Sequence, residues 1–169
     1  MHFTSRNPAV SAVIATNGKR PELLRVAVRS ILEQSYRGFV EVVVVFDRVE
    51  PDRLEDIEVG ENRALKIVSN TRSGGLAGGR NSGIIASSGE MIGFCDDDDY
   101  WMPSKLTQQV ALWRENPSRY LFGYYRPLRR SGHRAPGARA RNLRRLPAFA
   151  HYRNSPLRHA VLPRGSARR

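Results

Sequence analysis

Four consecutive carboxylates, Asp96 to Asp99, stand in this 169-residue chain between a short apolar run, Met91-Ile92-Gly93-Phe94-Cys95, and the segment Tyr100-Trp101-Met102-Pro103. Carboxylates this close disfavour one another's ionisation, and a cation among them relieves that cost. A donor set made only of oxygen favours magnesium or manganese, ions that commonly hold substrate phosphates as well. The plainer alternative is a solvated acidic turn, since Asp is common in turns. A turn wedged between a buried strand and an aromatic pair is less ordinary than that.

The elements that must position these acids follow from the apolar pattern. Residues 10–15 (VSAVIA) predict a buried strand, and Thr16-Asn17-Gly18 a turn after it. Pro21 suits the first turn of a helix, and Leu23, Leu24, Val26, Ala27, Ile31 and Leu32 recur at helical spacing, so a helix is expected over 21–34. A second buried strand is predicted over 39–46, with Asp47 at its C-terminal end. Residues 48–62 read as a polar loop or short helix, and 65–68 as a third, shorter strand. The small residues of 69–79 predict a loop whose backbone can approach a ligand closely. A helix over 80–88, a strand over 91–95 and a helix over 103–116 complete the series.

Alternation of strands and helices implies an α/β fold with a mostly parallel sheet and helices on both faces. Ligands of such sheets gather at the C-terminal strand ends. Thr16, Asp47 and the Asp cluster all fall there, from three separate segments.

Composition divides the chain. The net charge of +12 resembles a nucleic-acid signal, but from Arg126 onward there are 13 Arg, no Lys and no acid, which leaves 15 basic against 16 acidic residues before it. The expected division is a globular domain over 1–123 and an arginine-rich, largely disordered tail over 124–169. The single cysteine, Cys95, excludes an internal disulfide or a cysteine zinc cluster and reads as a small buried residue. No transmembrane run and no charged-then-apolar leader is visible, so the expected place is the cytoplasm, with room for peripheral contact at the inner face of the membrane.

Walker A, G-x-G-x-x-G and G-x-S-x-G motifs are absent, and the four histidines are not spaced with the carboxylates as metal ligands. VSAVIATNGKRPELLRVAVRSILEQSY, then VEVVVVFD, then GLAGGRNSGIIASSGEMIGFCDDDDYWMPSKL resembles a family 2 glycosyltransferase of the GT-A fold, over roughly residues 8 to 123. The resemblance implies a Rossmann-like GT-A sandwich and inverting transfer of a sugar from a nucleotide-diphosphate sugar to a glycan, lipid or protein acceptor, with Mg2+ or Mn2+ as cofactor. It assigns Thr16, Asp47, Arg80, Asn81, Asp96 and Asp97 to the donor nucleotide and Asp98 and Asp99 to the metal, Asp96, Asp98 and Asp99 matching the D-x-D-D pattern. Each has a plainer reading beside it: Thr16 as a turn hydroxyl, Asp47 as a strand-end residue, Arg80 as a surface helix partner. Trp101 is expected to pack rather than to stack on sugar.

The chain departs from the family downstream. An inverting transferase needs a general base for the acceptor hydroxyl, in this family an acid well beyond the D-x-D, and no Asp or Glu follows Glu115. The catalytic base is therefore unassigned, and the expected fold is truncated on its acceptor side. A nucleotide-sugar-binding remnant without turnover is the first rival reading. An arginine-only bias is what out-of-frame reading of a GC-rich gene produces, so a frameshift shortly after residue 123 is expected, to be tested on the coding DNA. A nucleic-acid-binding arm is the other rival; few aromatics and no recognisable motif accompany the arginines, which makes nucleic acid the weaker partner.

Overall fold

The computed structural model describes residues 7–115, together with two short strands at 121–122 and 160–163. In chain order the elements are β1 (Val10–Thr16), α1 (Pro21–Leu32), β2 (Val40–Phe46), β3 (Arg63–Ser69), α2 (Leu76–Ala86), β4 (Met91–Asp96), α3 (Lys105–Glu115), β5 (Leu121–Phe122) and β6 (Ala160–Pro163). They form one six-stranded sheet in the order β3-β2-β1-β4-β6-β5. The first four strands are parallel, β6 runs antiparallel to β4, and β5 antiparallel to β6.

The near-continuous apolar runs of β1 and β2 are explained by burial on both faces. On one face Val10, Ala12, Ile14, Val40, Val42 and Val44 pack with α1 and α3 through Leu24, Val28, Ile31, Leu106 and Val110. On the other, Val13, Val43, Val45, Ile92 and Phe94 pack against Ile84 and Ala86 of α2. Each Val, Leu, Ile or Phe among them contributes about 1.5–3 kcal/mol when fully buried.

The helix expected over 80–88 begins at Leu76 instead, inside the glycine-rich stretch. Its glycines serve packing. A Cβ on Gly79 would come within 2.9 Å of Ala15 Cβ, and one on Gly83 within 2.2 Å of Val13 Cγ1. Gly83→Ala should therefore destabilise the protein by about 2 kcal/mol, because overpacking a stiff buried valine outweighs the roughly 1 kcal/mol gained in helix propensity. A lower urea midpoint at unchanged slope would show this, whereas an increase would mean that α2 can lift off the sheet.

β3 also starts two residues earlier than its apolar run predicts, at Arg63. That side chain collects the carbonyls that α1 and its exit leave without partners. Arg63 Nε donates to Leu32 O at 2.8 Å, and its Nη atoms donate to Gln34, Tyr36 and Gly38 O at 2.8–3.2 Å. A cation at a helix C-terminus is also favoured by the helix dipole. Residues 48–62 form turns without a helix.

β6 lies in the arginine-rich stretch that composition sets apart, and here it adds to the sheet beside β4 through Met91↔Pro163, Ile92↔Leu162 and Gly93↔Val161. Its sequence, AVLP, is an apolar run amid arginines, and the open edge of β4 offers it backbone partners. The rest of the tail, and with it the expectation of disorder there, lies outside the described residues. Among the described residues, no helix is long and apolar enough to cross a membrane.

Candidate functional site

The C-terminal ends of β1, β2 and β4 enclose a cleft of about 360 Å³, lined by Thr16, Arg20, Asp47, Asp96, Asp97 and Asp98 with Ala15, Asn17, Gly75 and Leu76. Parallel pairing puts these ends together: Thr16 is opposite Phe46, and Ala15 opposite Asp96. Asp47 N donates to Thr16 O at 2.8 Å, which ties the second strand end to the first.

The four carboxylates divide by direction. Asp96 ends β4 and accepts from Arg80 Nη2 at 2.8 Å, each side chain 16% exposed. Arg80 reaches it from α2, with its guanidinium 5.4 Å from the Phe94 ring centroid. Asp97 turns inward and is 3% exposed. Its Oδ2 accepts from Thr16 Oγ1 at 2.6 Å and its Oδ1 from Arg20 Nη2 at 2.7 Å. The other Arg20 nitrogen, Nη1, pairs with Asp98. A backbone bond from Asp99 N to Asp96 O at 3.1 Å closes the turn.

Asp96, Asp98 and Asp99 each present an oxygen within 4.8 Å of the others. Three hard oxygen donors at that spacing fit a magnesium or manganese ion. Asp97, also in the cleft lining, holds Thr16 and Arg20 through its two oxygens.

Asp47 is held on both oxygens, by Asn70 Nδ2 at 2.7 Å and by Gly75 N at 2.8 Å. These donors, with Asn70 foremost, hold its carboxyl below the usual carboxylate range. Asn70 is itself fixed by Ser82 Oγ, which donates to its Oδ1 at 2.7 Å. Gly75 adopts φ 98°, a left-handed conformation that costs glycine little and that aims its N–H at Asp47. Gly75 is thus the glycine of the stretch that meets the cleft, while Gly78 packs on the Ser73 backbone and Gly79 and Gly83 meet the sheet.

Of the residues singled out from sequence, Thr16, Asp47, Asp96, Asp97 and Asp98 line the cleft. Arg80 stands behind Asp96, Asp99 belongs to the carboxylate group, and Asn81 is exposed on α2 outside the cleft lining. Sequence reasoning missed Arg20, Asn70 and Gly75. Arg20 carried a usable signal, since it directly precedes Pro21 at the start of α1 and so falls at the same sheet edge.

Trp101 packs as expected, 1% exposed. Lys105 Nζ lies 3.8 Å from its ring centroid and donates to Gln109 Oε1 at 2.6 Å, and burial brings the lysine pKa down to about 7. Cys95 is buried, which pushes its thiol pKa far up and leaves it inert as a nucleophile.

A family model described as glycosyl transferase family 2 matches residues 11–163. The Escherichia coli UDP-Glc:alpha-D-GlcNAc-diphosphoundecaprenol beta-1,3-glucosyltransferase WfgD is 27% identical over 114 residues, 68% of this chain and 45% of that protein. Among solved structures, S. aureus TarS 1-349 in complex with UDP-GlcNAc matches with a TM-score of 0.61 and 26% identity, over 76% of this chain and 37% of that one. The mannosyltransferase PcManGT from Pyrobaculum calidifontis, in complex with GDP-Man and Mn2+, matches with a TM-score of 0.57 and 25% identity, over 72% of this chain and 37% of that one. The chain thus spans less than half the length of these relatives.

Proposed function

Because this chain belongs to glycosyl transferase family 2, we propose that its cleft binds a nucleoside-diphosphate sugar and serves inverting transfer of the sugar to an acceptor hydroxyl. The observation that carries this is the convergence of Thr16, Asp47 and the Asp96–Asp98 carboxylates in one cleft at the ends of β1, β2 and β4. The ligands printed for the matching structures, UDP-GlcNAc and GDP-Man with Mn2+, support a donor of this class.

The geometry supports a role for each residue in this reading. Asp47, kept ionised by Asn70 and Gly75, is a fixed acceptor for the N–H groups of a nucleobase. Asp96, Asp98 and Asp99 would hold magnesium or manganese, which when bound neutralises charge developing on a leaving diphosphate. Arg20, at the start of α1, adds positive charge to the same cleft. The acceptor is a glycan, lipid or protein hydroxyl, and the lipid-diphosphate sugar in the name of the E. coli relative favours a lipid-linked one.

The test is thermal unfolding of the full chain with UDP or GDP, each with and without Mn2+. At a hundredfold excess over Kd, binding adds about 2.7 kcal/mol, roughly 8 °C for a domain of this size. A rise that requires both nucleotide and metal is expected with one of the two nucleotides; no rise with either would overturn the donor site.

A further inference from the structure

The segment after the acid cluster has no ladder of its own, and the end of α1 with the residues just after it holds it. Trp101 N donates to Ser30 Oγ at 3.1 Å, and Ser30 Oγ donates in turn to Ala27 O at 2.7 Å. Ser35 N donates to Pro103 O at 2.8 Å. Between them stands Gln34, 3% exposed. Its Nε2 donates to Met102 O at 2.8 Å and to Ser30 O at 3.0 Å, with a longer approach to Trp101 O at 3.4 Å. Its Oε1 accepts from Leu106 N at 3.0 Å, which satisfies an N–H at the start of α3. One amide thus fixes the path of the chain from Trp101 to Leu106.

The same helix reaches the acids from its other end. Arg20, which caps α1, holds Asp97 and Asp98. Trp101 is buried two residues beyond Asp99. The carboxylate turn is therefore held between two anchorages on α1, the arginine on its near side and the Ser30–Gln34 grip on its far side. An oxygen cluster binds a cation only when its spacing is kept, and the supporting shell commonly sets that spacing.

We propose that Gln34 is a positioning residue for the donor site: through the Trp101–Leu106 segment it sets the spacing of Asp98 and Asp99, and so the affinity for the divalent cation. The inference rests on the metal-binding reading above. It predicts an effect on ligand affinity beyond any effect on stability.

The experiment measures Mn2+ binding alone, by calorimetry on the full chain, for wild type, Gln34→Leu and Glu41→Gln. Glu41 is equally buried and equally bonded but lies near the N-terminal ends of the strands, away from the cleft. Gln34→Leu is expected to weaken Mn2+ binding tenfold or more, and Glu41→Gln to bind as wild type does even at a similar loss of melting temperature. Gln34→Asn, one methylene shorter, is measured beside them. It should weaken binding in the same direction, and it decides the matter if the leucine variant does not fold. Wild-type affinity in a folded Gln34 variant, or equal weakening in Glu41→Gln, would overturn the positioning role alone. Wild type without Mn2+ affinity would overturn the metal reading itself, and the positioning role with it.

Discussion

Asp98→Ala is expected to remove the metal-dependent stabilisation by nucleotide completely and to lower any sugar transfer by a factor on the order of 10³, the several kcal/mol that a metal clamp supplies. Asp98 is the exposed member of the group of three, pointing into the cleft rather than into the sheet. Its loss leaves Asp96, which is engaged with Arg80, and Asp99. Two carboxylates, one of them already paired to a cation, hold a divalent ion weakly.

The stability of the ligand-free protein should change little. The pair that Asp98 makes with Arg20 has side chains 35% and 46% exposed, and pairs of that kind are worth 0–1 kcal/mol. Arg20 also keeps its bond to Asp97. The measurement is the pair of melting curves, with and without UDP and Mn2+, for wild type and variant. A variant that still rises by the wild-type amount would show that nucleotide binds without the carboxylate group. A variant that melts far lower without ligand would show that Asp98 is structural.

The strands that carry these acids were legible because β1, β2 and β4 are buried on both faces, so their sequences could be little else. The strand ends followed from that, and with them Thr16, Asp47 and Asp96. Direction at the cluster was not legible. Four identical residues give no pattern, and only the fold shows that Asp97 bonds Thr16 while Asp96, Asp98 and Asp99 bring their oxygens together. The start of α2 was misread because glycine disfavours helix in isolation; the contact with Ala15 and Val13 that makes small residues necessary exists only once sheet and helix are together. The same holds for Arg63 and Gln34. Arg63 falls between a loop and a strand in the sequence and Gln34 at the end of a helix, and each is occupied by backbone groups that folding brings to it. β6 was hidden by composition, since arginines around a short apolar run mask its ability to pair with an open edge.

The opposite end of the sheet carries the second large effect. Glu41, 3% exposed, is the second residue of β2 and joins three elements. Its Oε2 accepts from Ser11 Oγ at 2.5 Å and from Ser88 N at 2.9 Å, and its Oε1 from Ser88 Oγ at 3.1 Å, with Lys66 Nζ at 3.3 Å. Burial alone would raise its pKa, but these donors together outweigh burial and hold it below the ordinary carboxylate value. Glu41→Ala removes the acceptor from all of them and should cost about 3 kcal/mol, near 10 °C in melting temperature. Because the folded pKa is the lower one, the contribution is complete above the unfolded value of 4.5 and is lost as pH falls through the folded value. The stability difference between wild type and Glu41→Gln should therefore be constant from pH 5 to 8 and shrink in acid below that. A difference that grows toward low pH would mean that Glu41 folds as the neutral acid, and that the donors around it are set for a group without charge.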